Sequence, residues 1–369
     1  MSRASGRVVF IHSSRELYGA DRMLLEVIAT MPPSLTPLVW LPDDVPPGGL
    51  HEALAARGIA TDTHPLPIVR RRYLTPSGLF RLLPRTLSLF HAIRRERPAA
   101  VYLTTSATLL AAPVVRVAGV RRVVLHVQEL WAGAEGRVLG LLARSVTTAI
   151  AISGPVASSL PDALARRTHV VTNAVPDSPR ARSTPPSTRT GDPLRFLVAS
   201  RWNAWKGHAT LLRAWDLGDA PGSLTVLGGP PPIGEATDVR ALVASSPNRD
   251  SIAIVGELTD IGEAIDGVDI VLVPSDQPEP FGLVAIEAYS RGRAVVGSAG
   301  GGLAEIVLDG KTGRLFPPGD ADALRKVLDE ITPERAADWG VAARDRYEAE
   351  YSLPRFGERM QRLWSAIAR

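Results

Sequence analysis

Short apolar runs separated by amphipathic stretches recur along the whole chain. The amphipathic intervals carry helical periodicity, as at Ala20–Met31 and Leu50–Arg57. Strands that alternate with helices are typical of repeated βα units around parallel sheets, so the pattern predicts an α/β fold rather than a helix bundle or a β-sandwich. The predicted strands of the first half are Val8–His12, Leu38–Leu41, Ala100–Leu103, Val123–Val127, Ala149–Ile152 and His169–Thr172.

The same alternation restarts after residue 193, with apolar runs inside LRFLVAS, SLTVLG, SIAIVG, DIVLVPS and RAVVGS. The intervening PDSPRARSTPPSTRTGDP has no apolar periodicity and is rich in Pro, Ser, Thr and Arg, which is typical of a linker. Apolar residues at helical spacing from Phe356 to Ile367 predict a terminal helix. We therefore expect an N-terminal α/β domain over 1–175, a linker over 176–193, a second α/β domain over 194–352 and a C-terminal helical segment over 353–369 near the domain junction.

Composition is that of a folded chain with room for two cores. The 369 residues exceed what one hydrophobic core usually supports, and a ligand cleft between two domains is the expectation. No apolar run approaches the roughly 18 residues of a membrane span. The apolar stretch Val8–Ile11 is too short for a secretory signal. With no cysteine, disulfides, thiolate metal sites and a cysteine nucleophile are excluded, and a cytoplasmic protein is expected.

Charge is distributed unevenly between the two halves. Residues 1–175 contain 20 Arg and 11 acidic residues and are therefore basic. Residues 176–369 contain 22 Lys and Arg and 27 acidic residues and are therefore acidic. The densest basic stretch, Arg70–Pro98, contains eight Arg and one acidic residue, Glu96. It fits either a solvated helix face or peripheral contact with the anionic inner face of the plasma membrane. Pro84 is expected to interrupt or kink any single helix there. The apolar residues of this stretch would belong to the protein core in the first interpretation and face lipid in the second. They include Leu79, Leu82, Leu83, Leu87, Leu89, Phe90 and Ile93.

The strongest chemical signal is DIVLVPSDQPEPFGLVAIEAYSRGRAVV, in which a strand leads through a Pro-rich loop into a helix predicted to begin near Phe281. Amides at the start of such a helix bind oxyanions, helped by the helix dipole. Glu279 precedes the helix and Glu287 lies about 12 Å further along a helical path, so the two suit hydroxyls on either side of a diphosphate. Without further context, Glu279 could equally be an acidic residue that complements the helix dipole at the first turn. Glu287 could equally be an ordinary surface glutamate.

EPFGLVAIE resembles the motif of two glutamates seven residues apart in the retaining glycosyltransferases of family 4, also called glycosyl transferases group 1. Four further segments resemble motifs of this family in the same order: TNAVP, ASRWNAWKG, VLGGP and GSAGGGLAEIVLDGKTGRLFPPGD. The resemblance is close over the C-terminal half and looser over the N-terminal half. It implies the GT-B architecture, with two Rossmann-like domains whose parallel sheets face a central cleft, and transfer of a sugar from a UDP- or GDP-sugar.

The resemblance also implies a donor site in the second domain. Glu279 would bind hydroxyls of the transferred sugar, and Glu287 the ribose diol of the nucleotide. The backbone amides of Phe281, Gly282 and Leu283 would line the sugar and phosphate.

Arg201 and Lys206, with four residues between them as in the family, would contact the diphosphate. Breaking the anomeric bond leaves negative charge on the nucleoside diphosphate, which preorganised cations and helix-terminal amides stabilise without a metal. Leu258 would pack against the base. We expect neither a metal nor another cofactor, because the GDAD segment at Asp320 fits a helix N-cap rather than a metal-binding DxD motif.

In the N-terminal half, Gly19 would approach the donor phosphate from a loop that reads GGAE in many family members. Tyr18 and Asp21 replace a glycine and a glutamate of that loop and are candidate acceptor-side residues. His126, at the end of a predicted strand, matches a histidine placed against the transferred sugar, although a buried structural role is the alternative. Asn173 of TNAVP is a further acceptor-side candidate, followed by alanine where the family has glycine.

Several functions remain open at this stage. The expected acceptor is a lipid-linked intermediate of cell-envelope polysaccharide or glycolipid synthesis, with an antibiotic or other small natural product as the alternative. A nucleotide-sugar epimerase shares the architecture but needs further acid/base groups. A hydrolase would need its carboxylates within about 5 to 9.5 Å. A non-catalytic sugar-nucleotide binding module is the alternative of another class, and no nucleic-acid partner is expected.

Overall fold

The computed structural model describes residues 5–70, 73, 75–178, 193–231 and 234–368. The chain divides into two compact units, the first comprising Met1–Asn173 with Phe356–Arg369 and the second Ala174–Arg355. These divisions lie within three residues of the ends predicted at residues 175 and 352. Of the predicted linker, residues 179–192 lie outside the described residues.

The first unit is built around a seven-stranded sheet of order β3-β2-β1-β4-β5-β6-β7, in which every pair of neighbours is parallel. Its strands are β1 (Ser5–Ile11), β2 (Thr36–Pro42), β3 (Ala60–His64), β4 (Pro98–Leu103), β5 (Val123–Val127), β6 (Thr148–Ala151) and β7 (Thr168–Val170). Its helices are α1 (Gly19–Ala29), α2 (Gly49–Ala56), α3 (Pro76–Glu96), α4 (Ala111–Val117), α5 (Gly133–Leu142), α6 (Gly154–Ser158) and α7 (Asp162–Ala165).

The second unit has a six-stranded parallel sheet of order β10-β9-β8-β11-β12-β13. Its strands are β8 (Leu194–Ala199), β9 (Gly222–Leu227), β10 (Ile252–Gly256), β11 (Ile270–Val273), β12 (Ala294–Ser298) and β13 (Gly313–Phe316). The helices that follow along the chain are α8 (His208–Trp215), α9 (Val239–Ser245), α10 (Gly262–Asp266), α11 (Leu283–Ser290), α12 (Leu303–Ile306), α13 (Ala321–Asp329), α14 (Pro333–Arg346) and α15 (Leu353–Ala368).

This architecture confirms the predicted α/β class with two Rossmann-like domains. The central strands are buried apolar runs, because helices cover both faces of a parallel sheet. In each sheet the strand order reverses once, between β1 and β4 and between β8 and β11. Ligands of open parallel sheets bind outside the carboxyl ends of the strands at such a reversal. The loops after β8 and β11 are therefore where a ligand of the second unit is expected.

The helix α3 continues through Pro84, so the interruption that was one of the two expected effects of this proline does not occur. An internal proline costs roughly 3 kcal/mol. Leu82, Leu89 and Ile93 are buried, and each such side chain contributes about 1.5 to 3 kcal/mol. Their packing offsets the cost of the proline, whose ring lies on the exposed side of the helix.

The terminal helix α15 packs on the first unit through Trp364. The indole Nε1 donates to Thr30 Oγ1 at 2.8 Å, and the ring centroid lies 6.0 Å from that of Tyr102 and 6.4 Å from that of Phe10. Apolar residues at helical spacing therefore correctly predicted a helix that covers a domain surface. Within the described part of the chain, no helix combines the length and the apolar character needed to span a membrane.

Candidate active site

The loops after β8 and β11 are locked together at Gly207. This residue has a φ of 72°, and a Cβ placed on it would lie 1.8 Å from the carbonyl oxygen of Pro274. Only glycine fits such an approach without displacement. The amide of Asp276 also donates to the carbonyl of Trp205 at 2.8 Å. The turn Ala204–Lys206 is thereby held against the loop that precedes α11.

Lys206 and Glu279, predicted to share the donor site, form an ion pair. Lys206 Nζ lies 2.7 Å from Glu279 Oε1, and the hydroxyl of Ser275 donates to the same oxygen at 2.5 Å. Glu279 is 5% exposed. The ammonium group also lies 4.1 Å from the ring centroid of Trp205, within range of a cation–π interaction. The cation and the carboxylate are therefore oriented by the protein itself.

The glycine run after β12 holds the backbone of Glu279. Gly301 forms a parallel bridge with Glu279, and Gly302 N donates to the carbonyl of Glu279 at 2.7 Å. Gly301 has a φ of 61°, and a Cβ there would lie 2.0 Å from the same carbonyl oxygen. The glycines of GSAGGG thus allow two backbones to approach closely, which fixes the position of the Glu279 side chain.

The helix α11 begins at Leu283, two residues later than predicted. Its N-cap is Gly282, with a φ of 110° and no side-chain cap. Amides of a first turn have no partner within their helix and lie at the positive end of its dipole, so they are suited to bind an anion. Phe281 is buried, with its ring centroid 6.1 Å from that of Tyr351, and anchors the chain just before this turn. Glu287 is half-buried on the second turn.

The remaining donor-side candidates lie after the strands from which they were predicted. Arg201 is half-buried in the loop after β8, and Leu258 is 46% exposed after β10. Asp320 caps α13 by accepting a hydrogen bond from Ala323 N at 2.9 Å, as predicted from GDAD. Among the described residues, no group of three or more His, Asp or Glu side chains is arranged to hold a metal ion.

In the first unit, Asp21 is a buried structural residue. Its Oδ1 lies 2.6 Å from His12 Nε2, and its Oδ2 accepts from Tyr18 N at 2.8 Å. His12 Nδ1 in turn lies 2.6 Å from Thr104 Oγ1. Both carboxylate oxygens are thus engaged inside the protein, which corrects the prediction of an acceptor contact through Asp21. Tyr18, 44% exposed, and Gly19 form the start of α1 that this network holds.

His126 lies on β5, one residue before the end of the strand, and is 2% exposed. Its Nδ1 is 3.1 Å from the hydroxyl of Tyr102, whereas Nε2 has no hydrogen-bond partner among the described residues. Burial lowers the pKa of His126 to about 4, so the imidazole is neutral near pH 7. A neutral imidazole with one open nitrogen is suited to a hydrogen bond with a sugar hydroxyl.

Asn173 is 2% exposed, and its Oδ1 lacks a hydrogen-bond partner within the described part of the chain. Ala174, which replaces the glycine of the family motif, does not adopt a positive φ; among the described non-glycine residues only Arg97 does. The substitution of glycine by alanine therefore introduces no backbone strain at this position.

Sequence reasoning missed several polar residues at the carboxyl ends of the strands. Ser275 contacts Glu279. His12 contacts Asp21 through one ring nitrogen and Thr104 through the other. Glu129, just after β5, accepts from Ser106 Oγ at 2.7 Å, and burial raises its pKa. Each lies at the end of a strand or within two residues after it, which was a usable signal because ligands of parallel sheets bind at that edge.

The sequence of this region matches a known family. Residues 180–346 match the model described as "Glycosyl transferases group 1". This segment is similar to the glycosyl transferases group 1. It contains Lys206, Glu279 and the α11 N-terminus, so the predicted resemblance is confirmed for this part of the chain.

Curated relatives match over limited segments. The chain is 33% identical over 116 residues to alpha-maltose-1-phosphate synthase of Mycolicibacterium smegmatis, which covers 29% of this chain and 30% of that protein. It is 38% identical over 153 residues to D-inositol 3-phosphate glycosyltransferase 2 of Catenulispora acidiphila, which covers 39% of this chain and 32% of that protein. The matched segments span about a third of the length of these relatives.

Solved structures match over nearly the whole chain. HepE of Anabaena, solved in complex with UDP and glucose, has a TM-score of 0.79 at 20% identity, covering 97% of this chain and 99% of that one. The apo form of the lipopolysaccharide outer core galactosyltransferase WaaB has a TM-score of 0.77 at 16% identity, covering 98% and 99%. At these identities the similarity establishes the fold of both units, which is that of GT-B glycosyltransferases.

Proposed function

We propose that this protein is a retaining glycosyltransferase that moves a sugar from a UDP- or GDP-sugar to an acceptor hydroxyl. One observation carries the proposal, which is the ion pair between Lys206 and Glu279 at 2.7 Å. The two residues lie in the loops after β8 and β11, the strands between which the order of the second sheet reverses, and the second of these loops leads into α11. These groups are the cation, carboxylate and amides that a sugar diphosphate requires. HepE, solved with UDP and with UDP-glucose, supports a nucleotide-sugar donor.

In the proposed reaction the anomeric C–O bond breaks and the electron pair stays on the nucleoside diphosphate. Lys206, Arg201 and the first-turn amides of α11 stabilise that charge, in the role that a metal ion has in other transferases. Glu279 accepts hydrogen bonds from hydroxyls of the transferred sugar, and Glu287 from the ribose diol. The acceptor oxygen bonds to the anomeric carbon on the face that the diphosphate leaves, and its proton passes to a phosphate oxygen.

His126 remains a proposed sugar contact in the first unit. Its neutral imidazole would bond to a hydroxyl of the transferred sugar without adding a charge near the reacting carbon. Gly19 and Tyr18, at the start of α1, remain proposed contacts of the donor phosphate and the acceptor.

Glu287→Gln is expected to weaken nucleotide binding, because a diol donates more strongly to a charged carboxylate than to an amide. We would measure thermal stabilisation by UDP, GDP, ADP and dTDP in buffer with EDTA. A ligand at 100 times its dissociation constant stabilises by about 2.7 kcal/mol. The preferred diphosphate should stabilise the wild type without any divalent metal and the variant markedly less.

Glu263→Gln, on α10 of the same unit, is the matched control and should bind like the wild type. Equal stabilisation of the wild type and of Glu287→Gln would remove Glu287 from the ribose site. Stabilisation that appears only with manganese would contradict a metal-independent site.

The alternative of another class is a non-catalytic sugar-nucleotide binding module. A binding module would also use a cation for the diphosphate, so the Lys206–Glu279 pair suits both functions and a measurement of activity has to separate them. Slow hydrolysis of the preferred nucleotide sugar without an added acceptor separates the two, since a binding module would release no nucleoside diphosphate.

We further propose that the acceptor is lipid-linked and that the enzyme acts in cell-envelope polysaccharide or glycolipid synthesis at the inner face of the plasma membrane. Phe80, Leu83 and Leu87 are 78%, 59% and 54% exposed, and their spacing places them on one face of α3. Arg81 and Arg94 are exposed on the same helix. Lone exposed apolar side chains are ordinary, but three on one basic helix suit an anionic lipid surface.

In the structure, fewer arginines of the segment Arg70–Pro98 are available for contact with a membrane than the sequence suggested. Arg70 pairs with Asp44 at 3.3 Å and Arg85 with Asp43 at 2.7 Å, so these two charges are engaged within the first unit. Residues 71, 72 and 74 lie outside the described residues. The exposed arginines that remain contribute up to about 1 kcal/mol each near an anionic surface.

The triple variant Phe80→Ser/Leu83→Ser/Leu87→Ser is expected to lose binding to phosphatidylglycerol vesicles in a sedimentation assay. The wild type should bind at low salt and be released at high salt, because arginine–phosphate attraction is screened. Val138→Ser/Leu141→Ser, both 60% exposed on α5, is the control and should bind normally. If the wild type stays in the supernatant at low salt, the acceptor is better sought among soluble natural products.

A further inference from the structure

The first unit contains a cavity of about 560 Å³ that no step of the proposed reaction uses. One wall is the face of β5, β6 and β7, where Val124 pairs with Thr148 in the sheet. The opposite wall is α15, which contributes Arg359, Arg362 and Leu363. The volume lies within the roughly 300 to 1,000 Å³ of small-molecule sites.

The lining of this cavity is basic. Three arginines, Arg122, Arg359 and Arg362, contribute to it together with His169, and no Asp or Glu is among its lining residues in the described part of the chain. Arg359 and Arg362 lie one turn apart on α15, so their side chains project from the same helix face. Arg359 donates to the hydroxyl of Thr172, which fixes its direction.

Two of these guanidinium groups lack counter-charges. The side chains of Arg122 and Arg362 make no ion pair or hydrogen bond with any described residue. Elsewhere in the same unit arginines do pair, as Arg57 does with Glu26 at 3.0 Å and Arg85 with Asp43 at 2.7 Å. The hydroxyl of Thr148, another lining group, also has no partner among the described residues. Concentrated positive charge in a concave site raises the local concentration of anions.

Two polar groups of the cavity lie at the opposite end of the sheet from the proposed chemistry. Arg122 directly precedes β5, and Thr148 is the first residue of β6, so both lie at amino ends of strands. His126, the proposed sugar contact, lies near the carboxyl end of β5. A ligand held by Arg122 and Thr148 is therefore not bound at the strand ends where sugar binding is proposed.

We propose that this cavity binds a small molecule carrying two or more phosphate groups, at a site separate from the donor site. Guanidinium groups bind phosphate oxygens through paired N–H donors, which makes arginine the fitting residue for such a ligand. Arg122, Arg359 and Arg362 supply three such groups from two walls, and a ligand with several phosphates can distribute its oxygens between both walls. The hydroxyl of Thr148 adds a neutral donor to the same anion.

The test is calorimetric titration with inorganic tripolyphosphate at physiological ionic strength. All proteins carry Arg201→Ala and Lys206→Ala, so that the cations proposed to bind the donor diphosphate are absent. This background protein should bind one tripolyphosphate, and adding Arg122→Gln/Arg362→Gln should lower the affinity at least about 10-fold. Arg137→Gln/Arg144→Gln, which removes the same charge from exposed positions of the same unit, should leave the affinity unchanged.

Two outcomes would overturn the proposal. One is a dissociation constant above about 1 mM for the background protein, because a built site with three arginines binds more tightly than that. The other is equal weakening by the cavity pair and the control pair, which would mean attraction to net charge alone. Thermal unfolding of each variant verifies that the fold is kept. The proposal stands or falls independently of the transferase assignment, since no sugar donor enters the measurement.

Discussion

Alanine in place of Lys206 or Arg201 is expected to lower turnover of the nucleotide sugar at least about 100-fold, which corresponds to about 2.7 kcal/mol of transition-state stabilisation. Each variant removes a preorganised positive charge from the diphosphate, which gains a further negative charge as the anomeric bond breaks. Turnover is measured as nucleoside diphosphate released under saturating donor. Lys311→Ala, in an exposed turn of the same unit, is the control and should retain normal turnover.

The ion pair with Glu279 adds a second consequence for Lys206→Ala. Glu279 is 5% exposed and would lose its cation, keeping only the hydrogen bond from Ser275. Removing one partner of a buried pair is destabilising because the other charge stays uncompensated, although Lys206 is 21% exposed and water moderates the cost. We therefore expect Lys206→Ala to melt at a lower temperature than the wild type.

A double variant separates stability from chemistry at this pair. Lys206→Ala/Glu279→Gln removes both charges and leaves an amide that still accepts from Ser275, so stability should return towards that of the wild type. Turnover should stay low, because neither the phosphate cation nor the sugar-binding carboxylate is restored. Recovery of turnover in the double variant, or near-normal turnover in either single variant, would refute the assignment of Lys206 to the diphosphate.

Gly207→Ala is expected to destabilise the protein by about 3 kcal/mol or more, the sum of left-handed backbone strain and overpacking. The added Cβ would lie 1.8 Å from the carbonyl oxygen of Pro274, a backbone atom that moves only if the loop after β11 moves. Gly310 has the same φ of 72°, but a Cβ added there would have no atom within 4 Å, so Gly310→Ala isolates the strain alone.

Urea unfolding of both variants measures the difference. Gly310→Ala should cost about 1 to 2 kcal/mol, the strain of a left-handed conformation for alanine. The additional loss of unfolding free energy in Gly207→Ala, compared with Gly310→Ala, measures the effect of the close approach between the loops after β8 and β11. Equal costs in the two variants would contradict that approach, and with it the rigid placement of Lys206 beside Glu279.

Much of the fold was predictable because buried parallel strands are continuous apolar runs. Val123–Val127 was predicted with the bounds that the structure has, and every other predicted strand overlaps an observed one. The edge strand β3 (ATDTH) was missed because it is largely exposed and carries no apolar alternation. The strand β13 was missed because its four residues include a glycine and an arginine. Edge strands need little burial, so the hydrophobic pattern revealed β7 and β10 but neither β3 nor β13.

The sequence by itself determined the α/β class, the two-domain division and the identity of the donor-side candidates, because strand burial and motif spacing are local properties of the chain. Only the tertiary structure decided which side chains meet. Lys206 and Glu279 are 73 residues apart, and their contact depends on the neighbouring positions of β8 and β11 in the sheet. Asp21 shows the converse, since its motif position indicated an acceptor contact, but packing against His12 engages its carboxylate inside the core. Pairings of this kind depend on strand order, which chain-local patterns do not encode.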